Sequence, residues 1–184
     1  MKILAVCGSP RLRGNSNYLA DKALQAAASL GMATEKVVLS KYKVNPCVAC
    51  QNCGELKTCS LSDDGNWILE KLAAADGIIL ATPVYFYNVS AQMKALIDRC
   101  HFFYSHGIKP KAKTLGFIVI AGEYGIEDTL HALHRYNEVT FNVPESHIFS
   151  VSGVALASGE VKNNKALIRA VANLGRQMVN VLQQ

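Results

Sequence analysis

Residues 2–17 read KILAVCGSPRLRGNSN, and this stretch decides how the chain begins to fold. Its first seven residues form a short apolar run that ends at a Gly-Ser-Pro turn, as a buried parallel strand does. Over residues 17–30 the apolar side chains then recur at the spacing of one helix face. A strand that leads into a helix through a glycine-containing turn opens a βαβ unit, so we expect a parallel α/β sheet.

The same alternation of strand and helix patterns continues along the chain. Five strands are predicted, over residues 2–8, 34–39, 77–82, 114–121 and 147–154. Five helices are predicted, over residues 17–30, 67–75, 90–99, 126–137 and 165–182. This pattern indicates an α/β fold with a five-stranded, mostly parallel sheet and helices on both faces. In such a sheet, ligands bind outside the carboxyl ends of the strands, where the strand order reverses.

Length and composition limit the classes of protein to which this chain can belong. The 184 residues are half apolar, enough to fold as one domain, residues 1–184, without disulfides. No apolar run approaches the roughly 20 residues of a membrane span, and the N-terminal segment lacks the features of a signal peptide. We therefore expect a cytoplasmic protein that does not bind membranes. The net charge of +5 comes from scattered basic residues, which argues against nucleic acid and fits anionic cofactors.

The turn after the first strand, GSPRLRGNSN at residues 8–17, has the composition of an anion-binding loop. Backbone N–H groups at the helix start can converge on an anion together with the Ser9 and Ser16 hydroxyls. Arg11, or the arginine two residues later, can add charge-assisted hydrogen bonds, and Gly14 lets the backbone approach closely. The same residues would also suit a solvent-exposed turn with an Asn or Ser helix cap.

Two other phosphate-binding patterns fit this loop less well. A dinucleotide-binding loop needs G-x-G-x-x-G, whereas the loop holds only Gly8 and Gly14. Cys7 and Arg13 satisfy the C-x5-R spacing of a low-molecular-weight phosphotyrosine phosphatase. A glycine, however, stands where that family has Ser or Thr, and the chain contains no Asp-Pro dipeptide to supply its acid. Cys7 also falls within an apolar strand, where a small buried cysteine is expected.

The loop resembles the phosphate loop of the flavodoxin-like NAD(P)H-dependent FMN reductase superfamily, which favours G-S-P-R-x-x-G-N-[ST] at this point. Residues 75–99, ADGIILATPVYFYNVSAQMKALIDR, resemble the family's strand, turn and helix at the flavin ring. The resemblance implies a flavodoxin-like, doubly wound, five-stranded parallel sheet that binds FMN. It also implies that the flavin carries the chemistry, so no catalytic side chain is expected.

The residues assigned to FMN lie in three loops. They are Ser9, Arg11, Gly14, Asn15, Ser16, Asn17, Pro83, Val84, Tyr85, Phe86, Gly122 and Glu123. The turn at residues 82–86 suits a flavin physically, because it offers apolar and aromatic surface with backbone polar groups close by. A hydrophobic loop that closes the core would have the same composition. The third loop, AGEYG at residues 121–125, is assigned by resemblance alone.

Four of the six cysteines lie within thirteen residues, in the stretch CVACQNCGELKTC at residues 47–59. They occupy a loop at about residues 40–65, and such long aperiodic loops are usually functional or disordered. In a reducing compartment, clustered cysteines bind metal or do redox chemistry more often than they form disulfides. The spacing C-x2-C-x2-C-x5-C suits an iron-sulfur cluster, with Lys43 and Lys57 offsetting its charge. Zinc, which more often takes two separated C-x-x-C pairs, and reduced free thiols are the alternatives.

This spacing resembles the motif of one branch of the superfamily, the iron-sulfur flavoproteins, which bind a [4Fe-4S] cluster. The resemblance assigns that cluster to Cys47, Cys50, Cys53 and Cys59. Because the loop follows the second strand at the carboxyl edge of the sheet, we expect cluster and flavin to exchange electrons at short range.

The expected function is an FMN-dependent redox protein, an electron carrier or reductase. NAD(P)H, another small molecule or a redox partner protein would donate or accept the electrons. The nearer alternative is a cluster-free NAD(P)H-dependent FMN or quinone reductase, and the farther one is a phosphatase-like or non-redox binding protein. By resemblance we also expect a homodimer or homotetramer. Residues 101–107, HFFYSHG, are predicted to lengthen the connection into the fourth strand and to line the flavin pocket, a subunit contact or the local core.

Overall fold

The computed structural model describes residues 1–56 and 58–184, so Lys57, expected to offset charge at the cysteine loop, lies outside the described residues. The strands are β1 (Lys2–Cys7), β2 (Ala33–Val38), β3 (Gly77–Pro83), β4 (Thr114–Ala121) and β5 (Ile148–Val154). The α-helices are α1 (Asn15–Ala28), α2 (Gly65–Ala74), α3 (Ala91–Arg99), α4 (His101–His106), α5 (Ile126–Thr140) and α6 (Lys165–Gln183). In this described part of the chain, no helix is both long enough and apolar enough to cross a membrane.

The strands form one parallel sheet in the order β2-β1-β3-β4-β5. β1 pairs with β2 on one side and with β3 on the other, so the order reverses between β1 and β3. The crevice beyond the carboxyl ends of these two strands is therefore the expected ligand site. The predicted flavodoxin-like, five-stranded parallel sheet is confirmed.

Helices cover both faces of the sheet, because successive strand residues point to opposite sides. In β1, Ile3, Ala5 and Cys7 pack into a core with α1 and α6. Leu4 and Val6 pack into the other core, which includes residues of α2, α3, α4 and α5. The three central strands β1, β3 and β4 are consequently buried on both faces and read as continuous apolar runs, whereas the edge strands β2 and β5 are partly exposed.

The sequence analysis predicts five helices and treats residues 101–107 as lengthening the connection into the fourth strand, whereas the structure has the helix α4 there. Phe102 and Phe103 are buried in the core, and Gly107 ends the helix in the left-handed region at φ 61°. Six residues are too few to show helical periodicity, and aromatic residues have only moderate helix propensity.

Several helix boundaries also differ from those predicted, by one to three residues, and two of them have a clear cause. α1 begins at Asn15 rather than at residue 17, because Gly14 takes the extended N-cap conformation with φ −67° and ψ 158°. α5 continues to Thr140, three residues past the predicted end at 137, before Asn142 turns the chain at φ 54°.

Candidate functional site

Four loops at the carboxyl ends of β1, β3, β4 and β5 enclose a cavity of about 200 Å³, called here the flavin cavity. Nine of the twelve residues predicted to contact FMN line it: Ser9, Arg11, Gly14, Asn15, Ser16, Pro83, Val84, Tyr85 and Gly122. Three others, Asn17, Phe86 and Glu123, do not line it. The structure thus brings together the three predicted loops and adds a fourth, which contributes Ala155 and Leu156.

The loop after β1 curls tightly around Gly14. A Cβ atom at this position would lie 2.4 Å from Ser9 Oγ and 2.9 Å from the Arg11 carbonyl oxygen. Ser9 is buried, and its hydroxyl accepts a hydrogen bond from the Arg11 N–H at 3.2 Å. Only glycine therefore fits the closed form of this loop.

Asn17 holds the loop from inside rather than facing the flavin cavity. Its side-chain amide donates to the carbonyl oxygens of Arg11 at 3.0 Å and Leu12 at 3.2 Å. The residue is buried. On this geometry Asn17 supports the loop, whereas the sequence analysis predicts that it contacts the cofactor.

The start of α1 offers unused hydrogen-bond donors. Within the described ranges, α1 has no side-chain cap, and Ser16 Oγ is buried without a hydrogen-bond partner. The first N–H groups of a helix have no partner within the helix, and the helix dipole places partial positive charge there. A buried hydroxyl beside such N–H groups suits an anion such as phosphate.

The loop after β5 was missed by the sequence analysis and is fastened to the phosphate loop. Asn15 donates from Nδ2 to the Ala157 carbonyl at 2.9 Å and accepts from the Gly159 N–H at 2.8 Å. The Ser158 hydroxyl donates to the Arg13 carbonyl at 3.1 Å. The rule that ligands bind beyond strand carboxyl ends would have indicated this loop, since it follows β5 directly.

The turn after β3 is strained and exposed. Tyr85 and Asn88 exchange two backbone hydrogen bonds, which leaves Phe86 at φ 49° and Tyr87 at φ 62°. The left-handed region is unusual for aromatic residues, and such strain is concentrated at functional sites. Phe86 is fully exposed at the tip of the turn. Gly125 allows the chain to pack closely there, because a Cβ atom at this position would lie only 2.8 Å from Tyr87 Cα.

Ser90 joins this turn to the phosphate loop and was also missed. Its hydroxyl donates to the Gly8 carbonyl at 2.6 Å and accepts from the Met93 N–H at 3.2 Å, so it also caps α3. Its own N–H donates to Thr82 Oγ1 at 3.1 Å. These bonds fix the two principal loops of the flavin cavity relative to each other.

The four clustered cysteines line a second cavity of about 500 Å³, called here the cysteine cavity. Cys47 and Cys50 are exposed, Cys53 is partly exposed and Cys59 is buried. Among the described residues, no three His, Cys, Asp or Glu side chains stand close enough together to hold a metal ion. The four sulfur atoms therefore share one cavity without forming a coordination sphere.

Backbone strain and hydrogen bonding distinguish this loop from an ordinary surface loop. Ala49 and Gln51, between the first three cysteines, take left-handed φ angles of 51° and 60°. The Ser60 hydroxyl lies 3.1 Å from Cys50 Sγ, and hydrogen bonds from Ser60 and the Asn52 backbone lower the pKa of Cys50 below its usual value. The thiolate, which is the metal-binding form, is thereby favoured at an exposed position.

The two ends of the cysteine loop are fastened together by Asp63, Asp64 and Arg99. Arg99 Nη1 donates to both carboxylate oxygens of Asp63, at 3.0 and 2.9 Å, and both side chains are fully buried. Asp63 also accepts from the backbone N–H of Asn45 at 2.9 Å. Asp64 accepts from the Lys43 N–H at 2.7 Å. Lys43, expected to offset cluster charge, is thus engaged here through its backbone.

The cysteine cavity and the flavin cavity share no lining residue in the described ranges. α3 begins beside the phosphate loop, next to Ser90, and its Asp98 lines the cysteine cavity. The nine residues of α3 span about 13 Å at 1.5 Å per residue. The cysteine loop therefore lies near the far end of α3 from the phosphate loop, and electron exchange at short range between the two sites stays a prediction.

The remaining cysteines are packing residues. Burial raises the pKa of Cys7 to about 12, and its side chain belongs to the core beside α1 and α6. Burial also raises the pKa of Cys100 to about 12, although Cys100 Sγ accepts a hydrogen bond from the Tyr136 hydroxyl at 2.9 Å. A buried, protonated Cys7 is unsuited to be the nucleophile of a phosphatase.

Comparisons with known proteins identify the family of this chain. The family model for NADPH-dependent FMN reductase matches residues 1–155. An iron-sulfur flavoprotein of Methanocaldococcus jannaschii is 36% identical, over all of this chain and 98% of the relative. One of Archaeoglobus fulgidus is 32% identical, over all of this chain and 81% of the relative.

Among solved structures, NAD(P)H:quinone oxidoreductase from Methanothermobacter marburgensis has a TM-score of 0.76 at 13% identity. The match covers 97% of this chain and 96% of that one, and it shows the likeness in fold. The chain therefore belongs to the NADPH-dependent FMN reductase family, in the branch of its iron-sulfur flavoprotein relatives, and is a flavin-dependent oxidoreductase that uses FMN.

Proposed function

We propose that this oxidoreductase transfers electrons between FMN and a [4Fe-4S] cluster held by Cys47, Cys50, Cys53 and Cys59. The observation that carries the proposal is that these four thiols line one cavity. Four cysteine thiolates are the usual donor set of such a cluster, so the residues fit in kind and number. Two similar proteins that carry the name iron-sulfur flavoprotein add support. On this proposal the cluster would draw the sulfur atoms closer together than they stand in the structure.

The residues of the flavin cavity fit FMN. The unpartnered Ser16 hydroxyl and the N–H groups at the start of α1 would bind the phosphate, with Arg11 adding charge. Pro83, Val84 and Tyr85 would contact the ring through apolar surface.

The chain's own part in the reaction is to bind, position and separate the two cofactors. When bound, the flavin exchanges one or two electrons and the cluster one, which links single-electron partners to two-electron partners. Ser90 fixes the flavin loops at one end of α3, and Arg99 fastens the cysteine loop at the other. We propose NAD(P)H, another small molecule or a redox partner protein as the external electron donor or acceptor.

Residues 1–184 would act as one FMN-binding domain in a reducing compartment, which we propose to be the cytoplasm. In the described ranges, all six cysteines are free thiols, as such a compartment favours.

Replacing Cys50 with serine tests the proposal with little risk to the fold, because Cys50 is exposed. In protein purified without oxygen, we expect Cys50→Ser to lose the broad absorption of the cluster while it keeps the flavin bands, since serine is a poor ligand for iron. The measurement is the visible spectrum before and after dithionite, together with acid-labile sulfide.

Cys100→Ser is the matched control, because its hydroxyl can keep the hydrogen bond from Tyr136. It should retain both flavin and cluster absorption. If Cys50→Ser keeps its cluster as well as the control does, the proposed ligand set is wrong, and if it loses flavin too, the change has disturbed the whole fold.

A cluster-free NAD(P)H-dependent FMN or quinone reductase is the second candidate. It is favoured by the absence, in the part of the chain that the structure describes, of any three thiols already arranged around a metal position. Wild-type protein with FMN and no acid-labile sulfide, whose flavin bleaches rapidly with NADPH, would favour this candidate over the cluster protein.

We also propose that the protein forms a homodimer or homotetramer. Exposed aromatic side chains near the flavin cavity and on α4, Phe86 and Tyr104 among them, would then be covered by a second copy. Sedimentation analysis at micromolar concentration should give twice or four times the 19.9 kDa of one chain. A species of 19.9 kDa alone would contradict this proposal.

A further inference from the structure

Arg99 is the most deeply buried cation in contact with the cysteine loop. Only 1% of the residue is exposed, although it stands at the C-terminal end of α3. Nη1 donates to both oxygens of Asp63 and to the Asn45 carbonyl at 3.2 Å. Asn45 lies two residues before Cys47, so Arg99 contacts the chain just where the cysteine run begins.

The guanidinium also approaches the other end of the run. Its Nη2 contacts Asn66 Oδ1 at 3.5 Å, and Asn66 Nδ2 donates to the Cys59 carbonyl at 3.0 Å. Arg99 is therefore linked to the chain at both ends of the cysteine run, through Asn45 near Cys47 and through Asn66 at Cys59.

Two of the three guanidinium nitrogens, Nη2 and Nε, contribute little to fastening the loop. Nη1 makes the bonds to Asp63 and Asn45, and Nη2 makes only a long contact of 3.5 Å to Asn66. Within the described residues, Nε is buried and has no hydrogen-bond partner. An unpaired buried donor is costly, and such groups usually have a functional explanation.

The surrounding chain leaves space for this guanidinium. A Cβ atom at Gly65 would lie 2.9 Å from Arg99 Nη2 and 2.9 Å from Asp63 Oδ1. A buried ion pair is by itself a weak source of stability, because apolar residues of similar volume often serve as well. The position and the spare donor therefore call for a role beyond closing the loop.

We propose that Arg99 is a positioning residue for the cluster, which donates a hydrogen bond to the Cys59 sulfur and raises the cluster's reduction potential. This inference rests on the proposed function, since it requires a cluster at Cys47, Cys50, Cys53 and Cys59. Reduction adds one negative charge to the cluster. A nearby fixed positive charge and a hydrogen bond to a ligand sulfur stabilise the reduced form, because both interact more strongly with the added charge.

Two variants separate the charge from the hydrogen bond. Arg99→Lys keeps the positive charge and can still pair with Asp63, but it lacks Nε and the planar fork of donors. Arg99→Gln removes the charge and keeps a donor for Asp63. Arg176→Met is the control for net charge, because Arg176 is exposed on α6, on the opposite face of the sheet from Arg99.

The measurement is an anaerobic redox titration of the holoprotein, following the electron paramagnetic resonance signal of the reduced cluster and the flavin absorbance together. We expect the cluster potential to shift downward in Arg99→Lys and further downward in Arg99→Gln. The flavin potential should stay at the wild-type value, and Arg176→Met should leave both potentials unchanged. Release of iron to a chelator should also become faster in both Arg99 variants.

Cluster potentials equal to wild type in both Arg99 variants would overturn the inference while leaving the proposed function intact. Wild-type protein without acid-labile sulfide would overturn the proposed function and this inference with it. If a variant loses its cluster but keeps FMN and its circular dichroism spectrum, the loss supports a role at the cluster. Joint loss of FMN and of the folded spectrum in both variants would show that Arg99 serves the fold alone.

Discussion

Replacing Asp63 with alanine should lower the free energy of unfolding by about 3–5 kcal/mol, the cost of leaving a buried charge unpaired. The Asp63 and Arg99 side chains are both fully buried, and Arg99 Nη1 donates to both carboxylate oxygens of Asp63. Without the carboxylate, Arg99 would lose its counter-ion, and the N–H groups of Asn45 and Gly65 would lose their acceptor. The ends of the cysteine loop would then be held mainly by the bonds between Asp64 and Lys43.

Urea unfolding of the holoprotein, followed by circular dichroism without oxygen, measures this loss. Glu138→Ala is the matched control, because Glu138 forms an exposed ion pair with Arg135 on the surface of α5 and lines neither the cysteine cavity nor the flavin cavity. Exposed pairs contribute about 0.2–1 kcal/mol. A loss for Asp63→Ala no larger than that of the control would contradict the account of how the loop is held.

The same ion pair gives this stabilisation a definite pH dependence. Burial alone would raise the pKa of Asp63, but hydrogen bonds from Arg99 and from the backbone of Asn45 and Gly65 outweigh it, so the pKa lies below its usual value. The contribution is therefore complete above the unfolded pKa of about 3.9 and is lost as the pH falls towards the lower folded value. The difference in stability between wild type and Asp63→Ala should accordingly shrink below about pH 4.

Replacing Gly14 with alanine should weaken FMN binding by about 100-fold or more. The added Cβ atom would lie 2.4 Å from Ser9 Oγ and 2.9 Å from the Arg11 carbonyl, so the backbone of the loop must open. An open loop would lose at least two charge-assisted hydrogen bonds to the phosphate, each of about 1.5–3 kcal/mol. Every 1.4 kcal/mol corresponds to a tenfold change in affinity.

Dilution of the holoprotein, with the fluorescence of released FMN as the readout, gives the dissociation constant. Gly54→Ala is the control, because a Cβ atom at Gly54 would meet nothing within 4 Å and the residue lies outside the flavin cavity. Equal FMN dissociation constants for the two variants would show that the phosphate does not bind in the loop around Gly14.

The elements that formed as predicted are those whose signals are local. The apolar runs of β1 and β3 and the glycine-containing turn after β1 specify strand, turn and helix within a few residues, and the structure has all of them. The predicted loops also meet at one cavity, because the carboxyl ends of parallel strands must share an edge of the sheet. Nine of the predicted flavin contacts line that cavity for this reason.

The parts that escaped prediction depend on partners far apart in the sequence. Asp63 and Arg99 are 36 residues apart, and Asn15 bonds to Gly159 across 144 residues. No local sequence pattern predicts pairs of residues this far apart. The path of the cysteine loop was missed for the same reason, since its place over the end of α3 is set by Arg99. α4 escaped because its burial of Phe102 and Phe103, rather than its own periodicity, makes it a helix.

The central claim is that the four clustered thiols hold a [4Fe-4S] cluster in a protein that also binds FMN. The most direct measurement is the content of iron, acid-labile sulfide and FMN in wild-type protein purified without oxygen. The account predicts about four iron atoms and four sulfides for each FMN. Protein that contains FMN but no acid-labile sulfide would contradict it and leave the cysteine cavity with zinc or free thiols.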